Sequence, residues 1–224
     1  DLKIDSTLER KISRFLDSGR LNRAQGGRLE YNPQLRLKYE DSLVHQFDLG
    51  GLNIVLDCAN GAVSGCVKKI FELNKAKVSL INNTPNGDNI NHNSGSTHLG
   101  ALKRAVREQK TDLGFSFDGD GDRVIAVDKF GKVFDGDMIL YILATNTKLS
   151  LNSTVVVGTK MTNSAVVFAL KKRGKKLIRA NVGDSNVSKL MKRHNAYIGG
   201  ENSGHIILYD KLPTGDGINT ALIF

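Results

Sequence analysis

The sequence is poor in the residues that build disulfide frameworks, zinc sites or membrane spans. Its 224 residues include no tryptophan, three prolines and two cysteines, Cys58 and Cys66. Two cysteines without CxxC or His–Cys spacing exclude a disulfide framework and a typical zinc site, so we expect free thiols in a reducing cytoplasm. No apolar run approaches the roughly 18 residues that span a bilayer. The charged, amphipathic start (1–16) is unlike a signal peptide, so we expect a cytoplasmic protein without a membrane partner.

The net charge of +9 raises the question of a nucleic-acid partner. However, the 32 lysines and arginines are scattered through predicted helices with few aromatic residues between them, and no RRM, KH, zinc-finger or bZIP signature occurs. A lysine-rich solvated surface, or attraction of phosphorylated small molecules, explains the charge at least as well. We therefore predict no nucleic-acid partner, and a polyanion-binding module remains an alternative.

The pattern of apolar residues predicts an α/β fold. A helix through Ile4, Leu8, Ile12 and Leu16 precedes an aperiodic stretch, 17–33, and a helix is predicted at 34–47. From residue 52, strand-like runs alternate with helices of about ten residues. Strands are predicted at 52–57, 77–81, 112–117, 124–128, 133–134, 154–158, 176–180, 196–200 and 205–210. Two consecutive small α/β domains follow, with mixed sheets flanked by helices and a junction near 128–135.

Three aspartates lie at alternate positions in FDGDGDR, residues 117–123. In extended backbone Asp118, Asp120 and Asp122 would point the same way, and the intervening glycines would let the loop curl around an ion. Carboxylates this close repel one another unless a cation neutralises them. Mg²⁺ binds a few carboxylates and leaves room for a substrate phosphate. The cluster therefore predicts a magnesium site.

Three other kinds of loop share features with this sequence. An EF-hand needs Gly and Glu where this sequence has Arg123 and Lys129, so that interpretation fails. A haloacid-dehalogenase-type phosphatase, with Asp118 as nucleophile and Lys160 as its lysine, remains possible, although Ser188 replaces a later aspartate. A solvated turn is the third possibility, because Asp and Gly are ordinary turn residues.

Several further motifs resemble those of the α-D-phosphohexomutases, in the same order and at similar spacing. With the aspartate loop they are VLDCANGA (55–62), PNGDNINHNSGSTH (85–98), VGD (182–184) and GGENSGHI (199–206). The resemblance extends from about residue 52 to the end of the sequence. It implies a remnant of domain 1 at 1–40, domain II with the metal loop at 41–131, and domain III with the sugar loop at 132–224.

The resemblance also implies an isomerase that moves phosphate through a phosphoserine and a bisphosphorylated sugar. No SHNP-type loop carrying the serine is present, nor a C-terminal SGTEP-type loop. We therefore expect the missing domains 1 and 4 to act as partners, and residues 1–224 alone to be inactive. The oligomeric state is not predicted.

The family's site residues map onto positions of this sequence. The resemblance implies that Asp118, Asp120 and Asp122 hold one Mg²⁺ per chain. Candidate catalytic residues are Arg123, His205 and Lys160, and candidate substrate-binding residues are Glu201, Ser203, His205, Gly183, Asp184 and Arg179. From the residues alone, Arg123 could equally be a charge partner of the aspartates, and Asp184 a helix N-cap. Arg179 and Lys160 could be surface charges.

The motif GENSGH is similar to that of the bacterial branch of the family that acts on glucosamine phosphate. This branch interconverts glucosamine 6-phosphate and glucosamine 1-phosphate, a step towards cell-wall precursors, so a phosphorylated hexosamine is the implied substrate. Other branches, acting on mannose or glucose phosphate, more often have Met at the position of Asn202. Asn181 and Ser94 depart from the family's common Lys and Cys, which leaves the roles of those two positions open.

Overall fold

The computed structural model of the chain describes residue 4 and residues 6–19, 27–44, 47–145, 154–209 and 212–224. Within these ranges two mixed β-sheets follow one another along the chain, and helices cover both. This arrangement confirms the predicted α/β class. None of the helices in the described ranges combines the length and the apolar character needed to cross a membrane.

The first sheet contains β1 (Asn53–Asp57), β2 (Lys77–Ile81), β3 (Leu113–Phe117), β4 (Val124–Asp128) and β5 (Val133–Phe134). Their order in the sheet is β2-β1-β3-β4-β5. Strand β1 pairs in parallel with β2 and β3, whereas β3–β4 and β4–β5 are antiparallel. The parallel strands are joined by crossovers that contain helices, as parallel pairing requires. These connections contain a 3₁₀ turn (Ala62–Gly65), α3 (Val67–Leu73) and α4 (Gly100–Glu108).

The second sheet and its helices consist of α5 (Gly136–Thr145), β6 (Val155–Thr159), α6 (Ser164–Lys172), β7 (Lys176–Ala180), α7 (Asp184–His194), β8 (Ile198–Gly200), β9 (Ile206–Leu208) and α8 (Gly217–Ile223). The strand order is β7-β6-β8-β9, with β6 parallel to β7 and β8 and with β9 antiparallel to β8. Asn163 accepts a hydrogen bond from the Ala165 N–H and so caps α6, and Asp216 caps α8 through the Asn219 N–H.

A hydrophobic cluster extends from the first sheet to the second. The Phe115 ring of β3 lies 6.1 Å from the Phe71 ring and 5.9 Å from the Phe224 ring, measured between centroids. Leu140 of α5 and Ile206 of β9 belong to the same buried cluster. The two sheets are therefore joined by shared core packing as well as by the chain.

Two helices, α1 (Ser6–Asp17) and α2 (Pro33–Leu43), precede the first sheet. The Glu40 carboxylate of α2 is buried and accepts a hydrogen bond of 2.6 Å from Lys69 Nζ of α3. The Tyr39 hydroxyl lies 3.1 Å from both carboxylate oxygens of Asp216, just before α8. Helix α2 therefore contacts α3 and the residue that precedes α8.

The differences from the predicted elements lie mainly at the ends. Part of the stretch 17–33, namely 20–26, lies outside the described residues. The helix α8 was missed, because a run of seven residues is too short to show a clear helical period; its residues 217–222 are all buried. Strand β5 extends the first sheet to Phe134, past the predicted limit at 131, and the domain limits remain a prediction.

Candidate metal centre and its neighbouring loops

The three aspartates converge in a turn between β3 and β4. One carboxylate oxygen from each of Asp118, Asp120 and Asp122 lies within 4.8 Å of the other two. The Gly121 N–H donates to the Asp118 carbonyl at 3.1 Å, and Gly121 has a φ of 77°. The aspartates therefore converge because the backbone turns, as the glycines were predicted to allow, and not because an extended strand alternates its side chains.

The glycines of this turn are closely packed. A Cβ on Gly119 would lie 2.7 Å from Asn91 Nδ2, and one on Gly121 would lie 2.5 Å from Val63 Cγ1. Both distances are shorter than real Cβ contacts, so either the neighbouring side chain or the turn would have to shift. The aspartate turn is thus seated between the segments that follow β1 and β2.

The electrostatics of the turn are those of crowded, partly buried carboxyl groups. Burial raises the pKa of Asp118 to about 6, and the charges of Asp122 and Asp120 also raise it. A hydrogen bond from His205 holds the pKa of Asp122 below its ordinary value. The buried Asp122 Oδ1 has no hydrogen-bond partner among the described residues. An orphaned oxygen beside two further carboxylates fits a hard divalent cation.

Arg123 lies beside the aspartates and still reaches solvent. Its backbone N–H donates to Asp118 Oδ1 at 3.1 Å. Its Nε lies 3.5 Å from Asp118 Oδ2 and 3.7 Å from Asp122 Oδ1, and 43% of the side chain is exposed. The structure therefore places Arg123 where it can pair with the aspartates and also meet an anionic ligand.

His205 lies beneath the surface and contacts the aspartate turn. It is 3% exposed, and its Nδ1 lies 3.0 Å from Asp122 Oδ2. A Cβ on Gly215 would overlap the imidazole ring, so only glycine fits there. The structure directs the imidazole to Asp122; this burial does not favour the predicted contact with sugar, which remains a prediction.

The VGD and GENSGH segments meet at a backbone–side chain hydrogen bond. Glu201 Oε1 accepts from the Gly183 N–H at 2.9 Å. Gly204 closes the turn by donating to the Glu201 carbonyl at 3.0 Å, and its own carbonyl accepts from the Val124 N–H at 3.1 Å. Ser203 is exposed at the tip of this turn. The structure thus brings Gly183, Glu201 and Ser203 together. The turn that contains Glu201 and Ser203 is attached to β4, next to the aspartates.

Asn202 holds this loop to the start of α5. Its Nδ2 donates to Asp135 Oδ2 at 3.0 Å, and its carbonyl accepts from the Gly136 N–H at 3.0 Å. A Cβ on Gly136 would overlap the Glu201 carbonyl oxygen. The Asn202 side chain therefore serves the loop's attachment, and any effect it has on sugar choice would be indirect.

The remaining predicted site residues lie around the second sheet. Arg179 Nη1 donates to the carbonyls of Thr159, Lys160 and Thr162, at 2.9, 3.2 and 2.7 Å. Arg179 thus stabilises the turn that follows β6. Lys160, the first residue after β6, is exposed. Asp184 is the first residue of α7, whose N-cap is Gly183, so the alternative of Asp184 as N-cap is wrong by one position.

Sequence reasoning missed the part that Asp137 plays in this region. Asp137 Oδ2 accepts from the Asn163 N–H at 2.7 Å, and burial raises the pKa of this carboxyl group. The neighbouring Asp135 accepts from the Met138 N–H at 2.9 Å and so caps the start of α5. The available signal was the sequence Asp-Gly-Asp at the start of a helix. Its two aspartates accept hydrogen bonds from the loops that contain residues 163 and 202.

Family comparison agrees with this fold. The profile "Phosphoglucomutase/phosphomannomutase, alpha/beta/alpha domain II" matches residues 38–131, and that of "alpha/beta/alpha domain III" matches residues 135–224. The chain belongs to the phosphoglucomutase/phosphomannomutase family, which confirms the predicted resemblance and favours it over the phosphatase interpretation.

Within that family, the chain is similar to bacterial phosphoglucosamine mutases. It is 44% identical to that of Marinobacter nauticus, over 98% of this chain and 51% of the relative. It is 42% identical to that of Buchnera aphidicola subsp. Baizongia pistaciae, over 99% and 50%, and 50% identical to that of Acinetobacter baylyi, over 80% and 40%. The chain spans about half the length of these curated relatives.

Solved structures show the same fold. A phosphoglucomutase/phosphomannomutase family protein from Burkholderia thailandensis matches 98% of this chain and 48% of its own, with a TM-score of 0.85 and 22% identity. The Aspergillus fumigatus N-acetylphosphoglucosamine mutase, solved with GlcNAc-6P and magnesium, matches 83% and 44%, with a TM-score of 0.64 and 19% identity. At these identities the likeness concerns the fold alone.

Proposed function

We propose that the chain forms the metal-binding and sugar-binding part of a phosphoglucosamine mutase. The observation that carries the proposal is the buried contact between Asp122 and His205, which places a three-carboxylate turn next to the loop of Glu201. The curated relatives at 42–50% identity support glucosamine phosphate as the substrate, since each is called phosphoglucosamine mutase. The reaction would interconvert glucosamine 6-phosphate and glucosamine 1-phosphate.

Asp118, Asp120 and Asp122 would hold one Mg²⁺ per chain. The orphaned Asp122 Oδ1 and the closeness of the three carboxylates support this assignment. The fungal N-acetylphosphoglucosamine mutase of similar fold was solved with magnesium. When bound, the ion would supply the positive charge that phosphoryl transfer requires at the phosphate oxygens.

The chain's own side chains would bind and orient the sugar phosphate. Arg123 presents a partly exposed planar fork that suits bidentate contact with phosphate, and exposed Lys160 would add a second cation. Glu201 would accept sugar hydroxyls through Oε2, because Oε1 is bonded to Gly183. Ser203, at the exposed tip, would donate or accept one further hydrogen bond.

A chimera tests the proposal. This chain would replace the matching half of the Marinobacter nauticus phosphoglucosamine mutase, so that the relative supplies the rest of the enzyme. We expect Mg²⁺-dependent conversion of glucosamine 6-phosphate, lost in Asp120→Ala and retained in Asp112→Asn, a change at the opposite end of the sheet. A preference for glucose or mannose phosphate would contradict the sugar assignment.

Trapping of labelled phosphate on the chimera tests the reaction type. A mutase of this family would carry the label on serine, in the part that the relative supplies. Label on Asp118 would contradict the mutase proposal and support a phosphatase that uses this aspartate as its nucleophile.

A further inference from the structure

A buried carboxyl group, that of Asp57, lies beneath the aspartate turn. Asp57 is the last residue of β1 and is fully buried. It lies between β2 and β3, opposite Ile81 on one side and Ser116 on the other. Four donors point at its two oxygens: the Ala59 N–H (3.1 Å) and Asn82 Nδ2 (2.9 Å) at Oδ1, and the Gly95 N–H (3.0 Å) and Ser116 Oγ (3.1 Å) at Oδ2.

The first donor belongs to the segment 58–62, which contacts the aspartate turn directly. The Ala62 N–H of this segment donates to the Gly119 carbonyl at 2.8 Å. A Cβ on Gly61 would overlap that same carbonyl oxygen, so the two backbones lie in close contact. Any shift of the segment 58–62 would therefore move Gly119, between Asp118 and Asp120.

The donors to Oδ2 also lead to the aspartate turn. Gly95 precedes Ser96, whose N–H donates to the Phe117 carbonyl at 3.0 Å, one residue before Asp118. Ser116 lies two residues before Asp118 on β3 itself. Asp57 thus holds β3, the strand that directly precedes Asp118, and the loop that packs on the end of that strand.

The segments around Asp57 adopt backbone conformations that need such support. Ala59, Asn60 and Asn82 have φ values of 51°, 50° and 48°, in the left-handed region. This region is unfavourable for alanine and persists where surrounding contacts enforce it. The Asn60 N–H donates to the Asn82 carbonyl at 2.7 Å, so the hydrogen bonds from Ala59 and Asn82 to Asp57 Oδ1 hold two left-handed segments against each other.

We infer that Asp57 is a positioning residue for the metal site, because its four hydrogen bonds hold the segments that support the aspartate turn. The inference rests on the proposed function of that turn. Asparagine at position 57 would keep the size of the side chain but would present an amide N–H to donors that need an acceptor. The supporting segments would then separate, and the three carboxylates would no longer converge on one point.

Titration of the chain with Mn²⁺, followed by the electron paramagnetic resonance of the free ion, tests this role without any requirement for turnover. We expect Asp57→Asn to weaken Mn²⁺ binding about tenfold, as is typical when support of metal ligands is removed. The matched control is Asp112→Asn. Asp112 Oδ2 accepts from the Asn53 N–H at 2.9 Å, at the other end of β1. This variant should bind Mn²⁺ within about twofold of the wild type.

Should Asp57→Asn fail to fold, Ser116→Ala replaces it. This change removes one of the four donors, and we expect about threefold weaker Mn²⁺ binding, which corresponds to a modest hydrogen bond. Wild-type affinity in Asp57→Asn, or in Ser116→Ala where the first variant is unfolded, would overturn the positioning role while leaving the metal site intact. Mn²⁺ binding that Asp120→Ala does not change would instead contradict the metal site, and the inference with it.

Discussion

His205 Nδ1 lies 3.0 Å from Asp122 Oδ2, so a buried residue of the proposed sugar loop directly contacts a proposed metal ligand. The backbone supports the same junction, because Arg123 and His205 form an antiparallel bridge and the Gly204 carbonyl accepts from the Val124 N–H. The junction joins β4 of the first sheet to the residue just before β9 of the second. Metal and sugar would therefore be bound by loops that are held together before either ligand arrives.

Removal of the imidazole should weaken the metal site. We expect His205→Ala to reduce Mn²⁺ affinity about tenfold, since Asp122 would lose the hydrogen bond that orients it. His205→Asn places an amide group close to the position of Nδ1 and should recover most of the affinity. His194→Ala, an exposed change on α7, is the control. Equal affinity in His205→Ala and the wild type would show that Asp122 needs no such support.

Magnesium should stabilise the folded chain through the aspartate turn. At ten times its dissociation constant, a ligand that binds the native state alone raises the free energy of unfolding by about 1.4 kcal/mol. We expect this increase in chemical denaturation with Mg²⁺, its reversal by a chelator, and its absence in Asp120→Ala. An equal increase in that variant would place the binding elsewhere.

Gly136→Ala should displace the sugar loop. The added Cβ would overlap the Glu201 carbonyl oxygen and lie 2.5 Å from Gly204 N, and backbone atoms cannot move aside cheaply. We expect a loss of about 1–3 kcal/mol in the free energy of unfolding, typical of overpacking, and weaker binding of glucosamine 6-phosphate by calorimetry. Gly100→Ala is matched to it: Gly100 is also the first residue of a helix, and its added Cβ would meet nothing within 4 Å. Similar stability of the two variants would contradict the prediction.

Tyr39→Phe should destabilise the contact between α2 and the start of α8. Burial raises the pKa of Asp216, and the Tyr39 hydroxyl is one of the groups that hydrogen-bond to this carboxyl group. Loss of a hydrogen bond to a buried acidic group costs about 1–3 kcal/mol. Urea denaturation measures the change, with Tyr31→Phe, at a tyrosine that is 89% exposed, as control. A change below about 0.5 kcal/mol, the size of an ordinary surface effect, would mean that water replaces the hydroxyl.

Local patterns predicted most of the fold. The strands at 77–81 and 124–128 were predicted with the bounds that the structure shows, because turn residues flank short apolar runs. Helix α8 was missed since it is only seven residues long, and its two polar residues, Asn219 and Thr220, are buried with the apolar ones, so its sequence shows no helical period. The substrate role of Arg179 stays a prediction, and the sequence did not indicate that its guanidinium group donates to three carbonyls of a turn 17–20 residues earlier.

The sequence by itself determined the chemistry of the aspartate turn, because three carboxylates within five residues must be close in any fold and need a cation or full solvation. Tertiary structure alone decided which groups surround them. His205 is 83 residues from Asp122 along the chain, and Asn202 is 67 residues from Asp135. Such pairs form because of the way in which the two sheets pack on their shared core. The spacing of residues along the sequence does not predict that packing. For the same reason the four hydrogen-bond donors to Asp57, an acidic residue at the end of a strand, could not be predicted from the sequence and are evident only in the folded structure.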